Sequence, residues 1–493
     1  MRTEEHFLKT QESLDPADWA ETRKLAHQMM DDMLDYMASI RERPAWSPIP
    51  EDIRETFSTP LPHQPEGAEP VYEEFKQTIL AYPLGDIHPR FFSWVNGPGS
   101  AAGMLASMLA NTMNPNSGGA NHAANLVEQQ VINWCKEFLD FPENASGVLT
   151  SGGSMANLIA LAVARHWAAK RAGVNVRKEG MQSFAQRLRL YCSSETHSSV
   201  QRALETLGMG SDSLCAIPVN ANFQLDPEAL VAAIKADREA GILPFCIVGT
   251  SGTTNTGSID PLDTLADICA REQLWFHVDG AIGAVAALAP EIKPKLKGIE
   301  RADSIAFDMH KWLFMNYAVG CVLVRNADLH RETFSLTPAY LKHAPRGAAS
   351  GDLWFSEMSI ELTREFRALK IWMLLKEFGS AKFGRMMLQT MTLAAYLAEQ
   401  IDRAPQLERL APAPLHIVVF RYVDPALSAE ALNKLNAEIV MEIQESGIAV
   451  PGTTTIHGKT AIRACINNYR TRHEDLDMLL QAVVSTGQAL TQH

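Results

Sequence analysis

Residues 245–281 read FCIVGTSGTTNTGSIDPLDTLADICAREQLWFHVDGA, and their reading decides the fold. FCIVGTSG opens with a short apolar run of the kind found in a buried strand. DPLDTLADICAREQ follows as a helix, with Asp260 as its cap and Pro261 in its first turn. LWFHVDGA (274–281) is a second apolar run. Outward from this unit the pattern repeats. LRLYCS (188–193) and LCAIPV (214–219) precede it, and DPEALVAAIKADREA (226–240), capped by Asp226 and started by Pro227, lies between LCAIPV and FCIVGTSG. SIAFDMH (304–310) and CVLVRN (321–326) come after. Strands alternating with capped helices imply an α/β protein with a mainly parallel central sheet. Ligands of such sheets bind at the carboxyl ends of the strands. HVDGA, TSGTT and FDMHK all fall at or just past strand ends, on one rim.

The flanks differ. Residues 15–40 read as a helix with Asp15 as cap and Pro16 in the first turn, carrying Trp19, Ala26, Met30, Met33 and Met37 on or near one face. A Pro-rich stretch follows that cannot form a core alone. The apolar stripe must therefore be covered, by the main body or by a second subunit. From about residue 385, LHIVVFRYV and AIRACIN read as strands with ALNKLNAEIVMEIQESG as a helix between. The expected division is a helical N-terminal segment (1–86), a large α/β domain (87–384) and a small α+β domain (385–493).

Of 493 residues, 46% are hydrophobic and 20% charged, enough for more than one core. Lys plus Arg number 44 against 57 Asp plus Glu, a balance of −13 that argues against nucleic acid and anionic membrane as partners. The seven cysteines are scattered without metal-ligand spacing, mostly inside apolar runs, as in a reducing compartment. MRTEEHFLKT holds no apolar signal core, and no apolar run approaches a membrane span. A cytoplasmic location is expected.

Five features carry chemistry. VLTSGGSMANL (148–158) runs from a strand through Gly152 and Gly153 into a helix at about Ser154. Exposed amides at a helix start, with a hydroxyl beside them, suit a phosphate; an ordinary capped turn would look the same. Asp279 ends a buried strand, as a structural cap or as the holder of a protonated ring nitrogen. His197, in ETHSS, follows another strand and on its own reads equally as a structural residue. Thr254 lies in the hydroxyl-rich turn TSGTT. Lys311 stands in FDMHKWLFM (307–315), an ammonium among mostly apolar neighbours, which must reach water, find a partner or lose its charge. Taken together, phosphate donors at Gly153 and Ser154, a carboxylate at Asp279, an imidazole at His197 and an amine at Lys311 suit pyridoxal 5'-phosphate, whose aldehyde forms a Schiff base with lysine. Zinc lacks a ligand cluster here, and a Ser-His-Asp hydrolase lacks its G-x-S-x-G turn. No metal is expected.

The order TSGGS, ETHSS, TSGTT, HVDGA, DMHKW resembles the group II pyridoxal-phosphate-dependent amino acid decarboxylases, most of all their aromatic-L-amino-acid decarboxylase branch. HPRFF at 88–92, TPAYLKH at 337–343 and REFRALKIW at 364–372 extend the resemblance through nearly all the chain. It implies the aspartate-aminotransferase-like fold (fold type I) and a homodimer with a swapped N-terminal segment and shared active sites. It implies that Lys311 forms the Schiff base, that Gly153, Ser154 and His310 hold the phosphate, and that Asp279 pairs with the pyridine nitrogen. Ala281 and His197 would lie on the two faces of the ring, with Thr254 near its phenolic oxygen. Tyr340 corresponds to a loop tyrosine that returns a proton to the substrate carbon.

Trp94 matches a pocket aromatic of that branch, and Arg463 matches an arginine that helps position substrate, though a domain-packing role fits Arg463 as well. Asn96, Gly97 and Ser117 stand where bulkier or different residues are common, and Thr363 where glycine is frequent. Asp308 stands where Asn is common. Trp94, Gly97, Thr363 and Arg463 are thus the expected substrate contacts. The implied reaction is decarboxylation of an aromatic L-amino acid to its amine. An acidic or diamino substrate ranks lower, since only Arg90 offers a distal cation near HPRFF. An aldehyde-forming oxidative decarboxylase ranks lower still, because Tyr340 keeps its hydroxyl. A cofactor-binding protein without turnover and an aminotransferase are the remaining alternatives.

Overall fold

The computed structural model describes residues 13–336 and 344–492. Its strands, in chain order, begin with β1 (Phe91–Phe92). β2 (Ser146–Thr150), β3 (Leu188–Ser193), β4 (Leu214–Ile217) and β5 (Leu243–Thr250) follow. Then come β6 (Trp275–Asp279), β7 (Ser304–Asp308) and β8 (Gly320–Val324). The last four are β9 (Leu407–Arg409), β10 (Ile417–Tyr422), β11 (Val450–Ile456) and β12 (Lys459–Cys465).

Seven strands form the large sheet in the order β2-β8-β7-β6-β5-β3-β4. The sheet is mainly parallel, as the alternation predicts. β8 alone runs against its neighbours β7 and β2. Residues 309–319 contain no helix and are too short for a crossover, so the chain can only turn back. Register aligns the carboxyl ends. Thr250 pairs with Asp279 and Asp279 with Ala306, while Thr150 and Asp308 both pair with Gly320. TSGGS, TSGTT, HVDGA and DMHK therefore share one rim.

Alternation along β6 assigns its side chains to two faces. Trp275, His277 and Asp279 face the helix Gly153–Arg171: Trp275 packs on Trp167 with ring centroids 5.8 Å apart, and His277 and Asp279 bond to Asn157. Phe276 faces the other way, close to Gly249 and to Leu262 and Leu265 of the helix Leu262–Glu272. One continuous apolar core runs through these layers.

The capping devices divide. Asp226 caps the helix Pro227–Glu239 as expected, accepting from the amides of Glu228 and Ala229. Asp260 does not cap: its helix starts at Leu262 without a side-chain cap. Asp260 is buried, its carboxyl accepts from the amides of Leu225 and Thr250, and burial without a cation raises its pKa to about 6. The N-terminal helix is Trp19–Ala38, capped by Asp18 rather than Asp15, and buries no residue against this chain.

The second sheet has the order β1-β11-β12-β10-β9. β11 and β12 form a hairpin whose turn residues His457 and Gly458 both have positive φ, the geometry that matches strand twist. β1 comes from HPRFF and pairs in parallel with β11, so residues 91–92 join the C-terminal sheet although the expected boundary placed them in the large domain. The boundary expected at 384/385 falls inside the helix Ser380–Arg403. Phe383 and Met387 of that helix pack in the large core, and Leu393, Leu397 and Ile401 in the small one. Among the described residues no helix is long and apolar enough to cross a membrane.

Candidate active site

The segment after β7 explains the lysine in its apolar run. Met309, Trp312, Leu313, Phe314 and Met315 are all buried. The Trp312 indole donates to Thr390 Oγ1 at 2.9 Å and its ring stacks on His416 with centroids 3.9 Å apart. Anchored on both sides, Lys311 is left to face a cavity of about 400 Å³ on the carboxyl rim. Its Nζ lies 2.8 Å from Asp308 Oδ2, a side chain only 2% exposed. Gly97 packs against the backbone of the same segment. Its N–H donates to the His310 carbonyl at 3.1 Å, and a Cβ there would lie 2.2 Å from that oxygen and 2.6 Å from the Lys311 carbonyl.

The TSGGS turn forms the opposite wall. The helix starts at Gly153 with no side chain capping its first turn, so its leading amides are free to meet an anion. A Cβ on Gly153 would stand 2.8 Å from Asp308 Oδ2 and 3.3 Å from the Ala281 Cβ, which explains the glycine by close approach. Gly153, Ser154, His197, Ala281, His310 and Lys311 all line this cavity.

Asp279 sits beneath it. Its Oδ1 accepts from the Ala281 amide at 3.1 Å and its Oδ2 from Asn157 Nδ2 at 3.0 Å. His197 caps the helix Ser198–Thr206: Ser199 N–H donates to its Nδ1 at 3.2 Å and Ser199 Oγ lies 2.9 Å from the same atom. Burial lowers the pKa of His197, opposed by the charge of Asp279. His310 is likewise lowered by burial, is held at Val319 and lies 4.7 Å, centroid to centroid, from the Tyr317 ring.

The remaining expected residues stand apart from this cavity lining. The Thr254 carbonyl accepts from Arg463 Nε at 2.7 Å, and the Trp94 carbonyl from Arg463 Nη1 at 2.8 Å. Arg463 is buried, and among the described residues it has no carboxylate partner and its Nη2 has no hydrogen-bond partner. Trp94 is 56% exposed at φ 46°, and Thr363 is exposed. Tyr340 lies outside the described residues.

Sequence reasoning missed five residues here: Asn157, Ser199, His277, Asp308 and Tyr317. Asn157 and Gly153 are four apart on one helix and thus share a face, and Asp308 and Lys311 are three apart; both spacings were legible signals. A further buried pair, Glu128 and Arg364, ties β2 to the 360s. Arg364 Nη2 meets Glu128 Oε1 at 2.5 Å and the Leu149 carbonyl at 2.6 Å, and the Leu149 amide donates back to Glu128.

The residues fit pyridoxal phosphate by their own chemistry. An uncapped helix start and Ser154 offer anion donors, Asp279 offers an acceptor from below, and Lys311 offers an amine. An α/β fold of this topology with that donor set defines a pyridoxal-phosphate enzyme. The chain belongs to the pyridoxal-dependent decarboxylases, whose conserved-domain profile matches residues 50–423. It is 36% identical over 467 residues to an aromatic-L-amino-acid decarboxylase of Bacillus atrophaeus, covering 94% of this chain and 95% of that one. It is 30% identical to a histidine decarboxylase of Rattus norvegicus, over 94% of this chain and 70% of that one. A solved structure of Oryza sativa TDC with PLP and tryptamine shares the fold, with a TM-score of 0.88 at 24% identity over 97% of this chain and all of that one. The protein is a pyridoxal-phosphate-dependent amino acid decarboxylase.

Proposed function

We propose that the protein decarboxylates an aromatic L-amino acid to the corresponding amine and CO2, working as a homodimer. The observation that carries the substrate class is the full-length likeness to an aromatic-L-amino-acid decarboxylase. The cavity is compatible with it: its basic lining groups are Lys311, His197 and His310, each of which this reading assigns to the cofactor.

Bound pyridoxal phosphate supplies an electron sink for the pair left on the α-carbon when the carboxylate departs. The leading amides of the helix Gly153–Arg171, with Ser154 and His310, bind its phosphate. Asp279 would accept from its ring nitrogen, with Ala281 and His197 contributing to the walls that hold the ring. Lys311 would supply the amine that holds the cofactor's aldehyde. Arg463, with one guanidinium nitrogen unpartnered, orients the substrate, and Trp94 and Thr363 contribute to its side-chain pocket. Tyr340 donates the proton to the α-carbon. A dimer accounts for the N-terminal helix, since Trp19 is 63% and Leu34 39% exposed on this chain. Apolar exposure of that kind marks an interface.

The test is CO2 release by the cofactor-loaded protein from the common L-amino acids, DOPA and 5-hydroxytryptophan. Release with a matching amine from aromatic substrates supports the reading. Preference for glutamate or a diamino acid refutes the substrate class, and ammonia with peroxide replaces the reaction by the aldehyde-forming one.

A further inference from the structure

We propose that Asn157 is a positioning residue that locks Asp279 and His197 together through one directed chain of hydrogen bonds. The proposal rests on the reading of this cavity as the cofactor site. The chain has six members besides His197, and all are buried: Trp275, Ser304, His277, Asn157, Asp279 and Ser199.

Its direction follows from donor chemistry at the Asp279 end. Asp279 is an acceptor, so the amide nitrogen of Asn157, 3.0 Å from Oδ2, must be the atom that faces it. Asn157 Oδ1 then faces His277 Nε2 at 2.8 Å, which therefore carries the proton. Burial pushes His277 down to about 4, so the ring is neutral; with the proton on Nε2, its Nδ1 accepts from Ser304 Oγ at 2.9 Å, the nearer of its two neighbours, the other being the Ser304 carbonyl at 3.2 Å. The indole of Trp275 can only donate, and it donates to that same Oγ at 2.9 Å, leaving the hydroxyl hydrogen for His277. The Asp279 end sets the polarity, and the Trp275 end is compatible with it.

The second amide hydrogen of Asn157 goes to Ser199 Oγ at 3.0 Å. The Ser199 hydroxyl is thereby aimed at His197 Nδ1, where the Ser199 backbone N–H already points. His197 Nδ1 is an acceptor, and its proton sits on Nε2. The charged groups acting on this ring are Asp279, Lys311, Arg202 and Asp308. One amide therefore holds the Asp279 carboxylate and, through the Ser199 hydroxyl, reinforces the His197 tautomer that the Ser199 N–H also favours.

The test uses the full chain with selectively 15N-labelled histidine, with and without pyridoxal phosphate. In the cofactor-free protein His197, assigned by loss of its signal in His197→Gln, is expected to show a protonated Nε2 and an unprotonated Nδ1. Asn157→Asp keeps the shape and removes both donors. It should weaken pyridoxal phosphate binding roughly tenfold to a hundredfold, shift the absorption of the bound cofactor, and move the His197 titration to higher pH. Asn157→Ala, should the charged variant not fold, is read for the same binding loss and spectral shift. A proton on Nδ1 of His197 overturns the proposal. So does a folded Asn157 variant with wild-type affinity, spectrum and His197 titration. Failure of the wild-type chain to bind pyridoxal phosphate would instead refute the cofactor reading, and the cofactor-free spectra would still decide the tautomer.

Discussion

Gly97→Ala should disable catalysis while leaving the protein folded. The added Cβ would stand 2.2 Å from the His310 carbonyl oxygen and 2.6 Å from that of Lys311. Ordinary contact begins at about 3.4 Å, so the two backbones must part by roughly 1 Å. Neither atom lies at the end of a flexible side chain. His310 is held at Val319, and Trp312 is pinned in the core, so relief must move residues 94–100 or turn the Lys311 peptide. Either movement also weakens the 3.1 Å bond from Gly97 N–H to His310, worth about 1 kcal/mol. A misplacement of about 1 Å at a reacting group costs on the order of a hundredfold in rate. Strain from the extra methyl costs about 1–3 kcal/mol, a small part of the stability of a chain this size. The assay is kcat at saturating cofactor and substrate, beside far-UV circular dichroism to establish folding. A folded G97A protein with wild-type kcat would refute the argument that this glycine sets the position of Lys311.

Other outcomes follow from buried charge. His277 and His330 are pushed down to about 4 and His416 to about 3 by burial, so all three are neutral in the fold. A depressed folded value means stability fully present above the ordinary 6.5 and lost as pH falls toward the folded value. Each ring should cost about 3 kcal/mol by pH 4, and a urea midpoint that does not fall between pH 7 and pH 5 would contradict neutral burial. Glu128→Gln removes the close counter-charge of the buried Arg364 guanidinium and leaves only Glu361, 3.9 Å from its Nε. It should destabilise by about 3–5 kcal/mol, read as a lowered denaturant midpoint; an unchanged midpoint would show the pair to be dispensable. Asp260→Ala strands the amides of Leu225 and Thr250 and should cost about 1–3 kcal/mol for each buried unpaired donor, measured the same way against Asp226→Ala, whose loss is that of an exposed cap.

Much of the fold was legible because buried parallel strands are short apolar runs and their crossover helices begin at Asp-Pro, a true cap at Asp226 though not at Asp260. The strands that escaped notice carry no such pattern. β11 reads VPGTTTI, with a proline and a glycine at its start, and becomes a strand by pairing with β12 and β1. β1 is two residues long and exists only through that pairing. Asp260 was misread because Asp-Pro before an apolar stripe is the local signature of a cap, while its partners Leu225 and Thr250 are brought to it only by the fold. The cavity residues named by motif, Gly153, Ser154, His197, Ala281, His310 and Lys311, meet at one rim. Asn157 and Ser199 escaped because a polar residue inside a helix looks like a solvated one until the neighbouring strand is known to present His277 and Asp279 to it. The contacts of Trp94, Gly97, Thr363 and Arg463 depend on how separate segments approach, which no local spacing encodes.

The central claim is that Lys311 holds pyridoxal phosphate in this cavity. Borohydride reduction of the loaded protein, followed by peptide mass analysis, tests it most directly. The account predicts a phosphopyridoxyl group on the peptide containing Lys311 and none in Lys311→Ala. Lys370 is the nearby rival, a buried amine whose pKa burial lowers and which donates to the Tyr317 carbonyl at 2.9 Å. A label on Lys370 in the wild-type protein, or on no lysine at all, would contradict the account.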